Sequence, residues 1–140
     1  MRGGHNFFRL RACEGPVYTH SEALDLLIVL NKETLEIHQD AVAHAGVALF
    51  DGEAFSPERP TPSTLSVPVG WLARESVNNP QMTNSVSMSA ALGVTGYDIG
   101  LLDDAMKGQF AASGTDVIQA NIRAAHAGYS YATSELTTRP

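Results

Sequence analysis

Cysteine is almost absent from this chain: Cys13 is the only one in 140 residues. No intrachain disulfide can form, and the chain alone can build neither a cysteine-ligated zinc cage nor an iron–sulfur cluster. Positive charge is scarce too, with 9 Lys and Arg against 15 Asp and Glu, a formal net charge of −6. That balance argues against a basic nucleic-acid binder and against a polybasic membrane-surface protein. Long apolar runs are also missing, the longest being Leu26 to Leu30. A membrane helix needs about 20 such residues, so none is expected. The opening Met-Arg-Gly-Gly-His-Asn carries no apolar signal core. Together these absences point to a soluble, reduced, cytoplasmic protein that binds neither nucleic acid nor membrane.

What is present suits one domain, since 44% of the residues are hydrophobic and the length allows a single core with little room for a second. His5 to Ala12 alternates, with Phe8, Leu10 and Ala12 on one side and Phe7, Arg9 and Arg11 on the other, which predicts a strand. Glu14-Gly15-Pro16 then marks a turn. Asp25-Leu-Leu-Ile-Val-Leu30 reads as a strand buried on both faces. Asn31 caps a helix expected from about Lys32 to Ala43, with Glu33 suiting its dipole, and Gly46 closes it. Val47 to Phe50 is a second apolar strand ending at Asp51-Gly52. Strand, helix, strand at this spacing predicts a right-handed βαβ unit in a parallel sheet.

Gly52 to Thr64, with Pro57, Pro60 and Pro62, reads as a surface excursion. Leu65 to Val69 is a short edge strand, because Pro68 cannot donate to a ladder. Gly70 to Ser76 forms a short helix turning Trp71 or Leu72 inward. The rest is helical. Met82 to Val94 is rich in small residues that admit a close neighbour. Ile99, Leu102, Met106 and Phe110 follow behind Asp98 as N-cap, and Thr115 to Ala127 is closed by Gly128. After Ala132 the tail, residues 133–140, is expected to fray. The fold class is therefore α/β, a mostly parallel sheet with flanking helices and a helical C-terminal third.

Few residues point to chemistry. His38 and His44 are six apart, off the i, i+4 spacing of paired helical ligands, and His5, His20 and His126 lie in separate elements, so no metal site is expected. No Gly-x-Ser-x-Gly elbow, P-loop or complete Gly-x-Gly-x-x-Gly is present. Asp103-Asp104 reads as a solvated helix face, and Cys13 sits in a turn. No catalytic residue is assigned. Arg2-Gly3-Gly4-His5-Asn6 is either a flexible lead into the first strand or a loop where backbone and guanidinium approach a ligand or another chain.

The order of motifs resembles the 2-oxoacid:ferredoxin oxidoreductases, and more narrowly the gamma-type domain of the 2-oxoglutarate class. Arg2-Gly3-Gly4-His5-Asn6 resembles that domain's RGGHN strand entry, and Asp25 through Asn31 to Thr34 its strand-to-helix turn. Met82-Thr-Asn84 through Gly93 is similar to its N-t-v-a-l-G helix, and Ala124 to Tyr129 to its closing A-a-x-x-G-y. The resemblance implies a Rossmann-like unit over residues 1–132, on the coenzyme A side of an enzyme that oxidatively decarboxylates a 2-oxoacid. Thiamine diphosphate and iron–sulfur clusters would sit in partner subunits or domains, with ferredoxin met through the complex and no cofactor held firmly by this chain. Arg2, Gly3, Gly4, His5 and Asn6 would face the ligand or the catalytic domain, as would Asn31 and Asn84 at helix starts, where capping is the competing role. Family members usually carry a strand, a GGQG turn, a helix and a second strand before RGG, whereas Met1 directly precedes Arg2 here. A partial domain is thus expected, truncated at the N-terminus, with an open sheet edge. Alone it should aggregate, self-associate or require a partner. The alternatives are a non-catalytic module stabilising partner subunits and a component of the indolepyruvate class.

Overall fold

The computed structural model describes residues 6–19 and 21–136. Arg2, Gly3, Gly4, His5 and the tail from residue 137 onward lie outside the described residues. Among the described residues, three strands form one parallel sheet in sequence order: β1 (Leu24–Val29), β2 (Val42–Asp51) and β3 (Thr64–Val67). Period-two alternation divides their side chains between two apolar layers. Leu26 and Ile28, Val47 and Leu49, and Leu65 and Val67 pack with α2 (Val69–Val77), α3 (Thr83–Thr95) and α5 (Thr115–Tyr131). Leu27, Val29, Ala48 and Phe50 face the other way, onto Leu35 of the short helix α1 (Lys32–His38) and onto Phe55. Cover on both faces is why β1 and β2 read as unbroken apolar runs. A third cluster, Leu102, Met106 and Ala125, attaches α4 (Ile99–Gln109) to α5.

Several expected boundaries move, each for a packing reason. Residues 6–12 form no strand; they are irregular and mostly exposed, because an alternating segment needs a sheet edge to pair with and takes none here. The first helix ends at His38, passes through a 3-10 turn at Gln39–Ala41, and gives way to β2 at Val42, which pairs with Leu24 and joins the apolar layer of Val29 and Leu35. Gly46 therefore lies inside a strand. The β1–β2 register slips between Leu24 and Leu26, and a Cβ at Gly46 would stand 2.5 Å from the Leu24 carbonyl oxygen. This glycine serves a bulge rather than a helix end. Leu72 turns inward at 7% exposure while Trp71 remains 47% exposed.

Gly128 is likewise an interior residue of α5, not its terminus. It faces α3, whose small residues admit the close approach that the sequence suggests. Helical structure continues beyond Ala132 as a π turn, Ala132–Leu136, because Ala132 and Leu136 both drop into the main core. Order thus extends past the expected end at Ala132.

Between α3 and α5 lies one buried polar link. Ser85 Oγ donates to Asn121 Oδ1 at 2.6 Å, and Asn121 Nδ2 donates to the Val117 carbonyl at 2.9 Å. Both side chains are buried. Ser85→Ala would strand the Asn121 oxygen, an expected loss of about 1–3 kcal/mol. Urea denaturation checks this, and an unchanged midpoint would contradict it.

Candidate functional site at the carboxyl ends of the strands

In a parallel sheet the backbone diverges at the strand carboxyl ends, and polar groups from the following loops converge there. Asn31 stands two residues beyond β1, Asp51 and Glu53 close β2, and Pro68 leads from β3 into α2. The first turns of α3 reach the same edge. Ser87 lines a cavity of about 10 Å³ together with Ile28, Val29, Leu49, Phe50, Val67 and Val69, all in the carboxyl halves of the strands or just beyond. Asn84, one turn earlier, is exposed at that end. Asn31 thus follows β1 at this edge, while Asn84 lies one turn before Ser87 in α3. Asn6, in the irregular arm, is exposed.

The two asparagines differ in what they do. Asn31 Oδ1 accepts from the Thr34 backbone N–H and from Thr34 Oγ1, each at 2.9 Å, so its oxygen is committed to capping α1. Its amide nitrogen is the group left to face outward. Asn31→Ala should lower stability by about 1 kcal/mol, read as a shift in the denaturant midpoint. Asn84 caps nothing: a 3-10 turn, Pro80–Met82, precedes α3, and Asn79 Oδ1 caps that turn by accepting from Gln81 N–H at 3.0 Å.

Two residues at this edge escape sequence reading. Pro68 has no side-chain group with which to cap α2, and Glu53, arriving from the end of β2, supplies one: its Oε2 accepts from the Trp71 N–H at 2.6 Å, with Arg74 at 3.4 Å. Capping from fifteen residues upstream leaves no local motif. Ser87 Oγ makes no hydrogen bond among the described residues although Ser87 is only 8% exposed. In sequence it is one of several small residues in α3, with nothing to separate it from Ser85 or Ser89.

Several other charges are paired with one another. Lys32 Nζ lies 2.8 Å from Glu58 and 3.3 Å from Glu36. The hydrogen bond to Glu58 raises the lysine above its ordinary range, and the same bond lowers the Glu58 carboxyl. The Asp103-Asp104 pair divides between two partners, Asp103 lying 2.9 Å from His126 Nε2 and Asp104 2.9 Å from Lys107 Nζ. Neither carboxyl is left to act as a paired acid and base. Among the described residues no three His, Cys, Asp or Glu side chains converge as a metal would require. Cys13 is exposed, its Sγ 3.0 Å from the Gly15 carbonyl.

A parallel sheet covered by helices on both faces, with loop residues and a helix start at its carboxyl edge, defines an α/β unit of the Rossmann-like kind. The fold matches a solved 2-oxoglutarate:ferredoxin oxidoreductase from Magnetococcus marinus, a structure with 2-oxoglutarate, coenzyme A and succinyl-CoA bound, at a TM-score of 0.76 over 90% of this chain, 23% of that chain and 19% identity. The sequence is 31% identical over 110 residues to the ketoisovalerate oxidoreductase subunit VorA of Methanothermobacter thermautotrophicus, a stretch that is 77% of this chain and 23% of that subunit. Residues 1–131 match the family model described as pyruvate ferredoxin/flavodoxin oxidoreductase, and the chain belongs to that family. It spans about a quarter of the length of these two relatives.

Proposed function

We propose that residues 1–132 of this chain are a gamma-type domain of a 2-oxoacid:ferredoxin oxidoreductase of the cytoplasm. The whole enzyme oxidatively decarboxylates a 2-oxoacid such as 2-oxoglutarate to its acyl-CoA, and this domain helps position coenzyme A and hold the subunits together. The family match over residues 1–131 carries the reading. Iron–sulfur clusters do not fit this chain, because one cysteine cannot ligate a cluster. They belong with thiamine diphosphate in partner subunits or domains, and ferredoxin is met through that complex.

Coenzyme A fits the carboxyl edge only in part. The Asn31 amide, Asn84 and the unpartnered Ser87 hydroxyl offer hydrogen bonds there, but the cavity of about 10 Å³ is far below ligand size. The coenzyme would lie along this edge and be enclosed from the far side by another domain. Arg2, Gly3, Gly4, His5 and Asn6 would complete the contact, the arginine through its charge and the glycines through close backbone approach. When bound, coenzyme A supplies the thiol that accepts the acyl group; this chain's residues bind and orient it and move no proton.

Reconstitution with the thiamine- and cluster-bearing partners tests the proposal. Turnover that needs both 2-oxoacid and coenzyme A should appear only when this chain is added. Arg2→Ala should raise the apparent KM for coenzyme A or weaken assembly, and if neither changes the loop has no such role. The small cavity favours a second reading, a non-catalytic module, under which partner stability would depend on the chain while the KM for coenzyme A would not.

A further inference from the structure

Helix α4 is held differently from the elements around it. The sheet, α2, α3 and α5 share the main cluster, whose deeply buried side chains include Val67, Ala73, Val86 and Ala90. The cluster under α4 is separate and small: Leu102 and Met106 meet Ala125 of α5, with Leu92, Ile99, Phe110 and Ile122 only partly buried around them. Its outer face adds no burial, since Leu101 is 63% exposed and Tyr97, just before the helix, 60%. Apolar burial sets how firmly an element is held, so this seam is weaker than the main layer.

Both borders of the segment carry unusual backbone. Gly96 closes α3 at φ +77° and Gly114 precedes α5 at φ +90°. Beyond the chain neighbours, no heavy atom lies within 4 Å of where a Cβ at either position would stand. What glycine supplies there is the positive φ rather than room. Changes of φ and ψ at such positions can redirect the chain between them while the helices on either side stay in place.

The polar contacts that tie the segment down lie at the surface. His126 Nε2 is 2.9 Å from Asp103 Oδ2, and the Tyr129 hydroxyl donates to the Tyr97 carbonyl at 3.0 Å. Partly exposed contacts of this kind hold weakly. Others are internal to the segment and travel with it: Asp98 Oδ1 accepts from the Gly100 N–H at 2.7 Å, and Asp104 pairs with Lys107. We infer that residues 97–113 form a hinged flap, which opens from α3 and α5 as one piece. Opening uncovers Leu92, Ile122 and Ala125 while the sheet and the main core stay folded. This is a conformational property of the fold and is independent of the oxidoreductase reading.

Thiol labelling of the full 140-residue chain tests it, in a Cys13→Ser background that removes the only native thiol. Met106→Cys and Ala125→Cys place a probe on each side of the seam, and Ala90→Cys places one in the main core. Below the unfolding transition, the probes at 106 and 125 should label at rates nearly independent of urea, because local opening exposes little surface. The probe at 90 should follow the full slope of global unfolding. Leu136→Ala should speed the probe at 90 by about thirtyfold or more and leave the other two unchanged, since Leu136 keeps its contacts when the flap opens. Leu102→Ala should speed the probe at 125 by about thirtyfold or more. Hydrogen exchange of the unaltered chain repeats the comparison: amides of Leu102 and Met106 should show a smaller urea slope than those of Val86 and Ala90. Equal urea slopes in either measurement, or acceleration of all three probes by Leu136→Ala, would overturn the flap.

Discussion

Gly128→Val should cost about 3 kcal/mol or more, enough to unfold a marginal domain. Gly128 is buried in the last turn of α5, which runs on into the π turn, and a Cβ there would run into the Val86 carbonyl oxygen and stand 2.5 Å from Ser89 Oγ. The serine hydroxyl could rotate, but the carbonyl is backbone and moves only if α3 moves. Helix α3 is itself pressed against the sheet through Val86 and Ala90, both wholly buried in the layer that holds Leu49 and Val67. A displacement of α3 therefore opens the main core rather than a surface seam. Replacing a mid-helix glycine ordinarily gains about 0.5–1 kcal/mol, so Gly128→Ala separates the two effects: here it should still destabilise. Urea denaturation of both variants provides the measurement, and a midpoint equal to or above wild type for the alanine would show that the helices are not in close contact.

Leu136→Ala is expected to cost about 2–4 kcal/mol, a core-sized loss from a residue four from the end of the given sequence. Leu136 is 6% exposed and packs in the same cluster as Leu72, Val86 and Ala132. The π turn at Ala132–Leu136 is what rotates it there, following directly on α5 without a break. Truncating it leaves a void beside α3 and α5 that the packed helices cannot fully close. A fraying tail would instead tolerate the change at within about 0.5 kcal/mol, the size of an ordinary surface substitution.

Much of the fold is legible because its signals are local. The runs at Leu26 to Leu30 and Val47 to Phe50 announce strands buried on both faces, and the sheet pairs them in parallel as their spacing requires. Asn31 and Asp98 are recognisable caps, and both accept the expected backbone hydrogen bonds. The family, too, was readable in four ordered motifs, and the match over residues 1–131 agrees. Gly46 and Gly128 are different. A glycine that ends a helix and a glycine that admits a neighbouring backbone are the same letter, and only the neighbour tells them apart. The candidate edge divides in the same way: Asn31 and Asn84 stand out beside helix starts, whereas Glu53 and Ser87 gain meaning from α2 and from the strand ends they meet.

By itself, the sequence determined which segments could be strands or helices, that no cysteine cluster could form here, and that residues 7–12 alternate like a strand. Hydrophobic period and residue chemistry are properties of the chain alone. Only the tertiary structure decided which of these segments are satisfied. It drew β2 back to Val42, carried helical structure through Leu136, and gave the alternating arm no strand pairing among the described residues. Pairing and burial depend on what lies across the contact, and residues distant in sequence supply that partner.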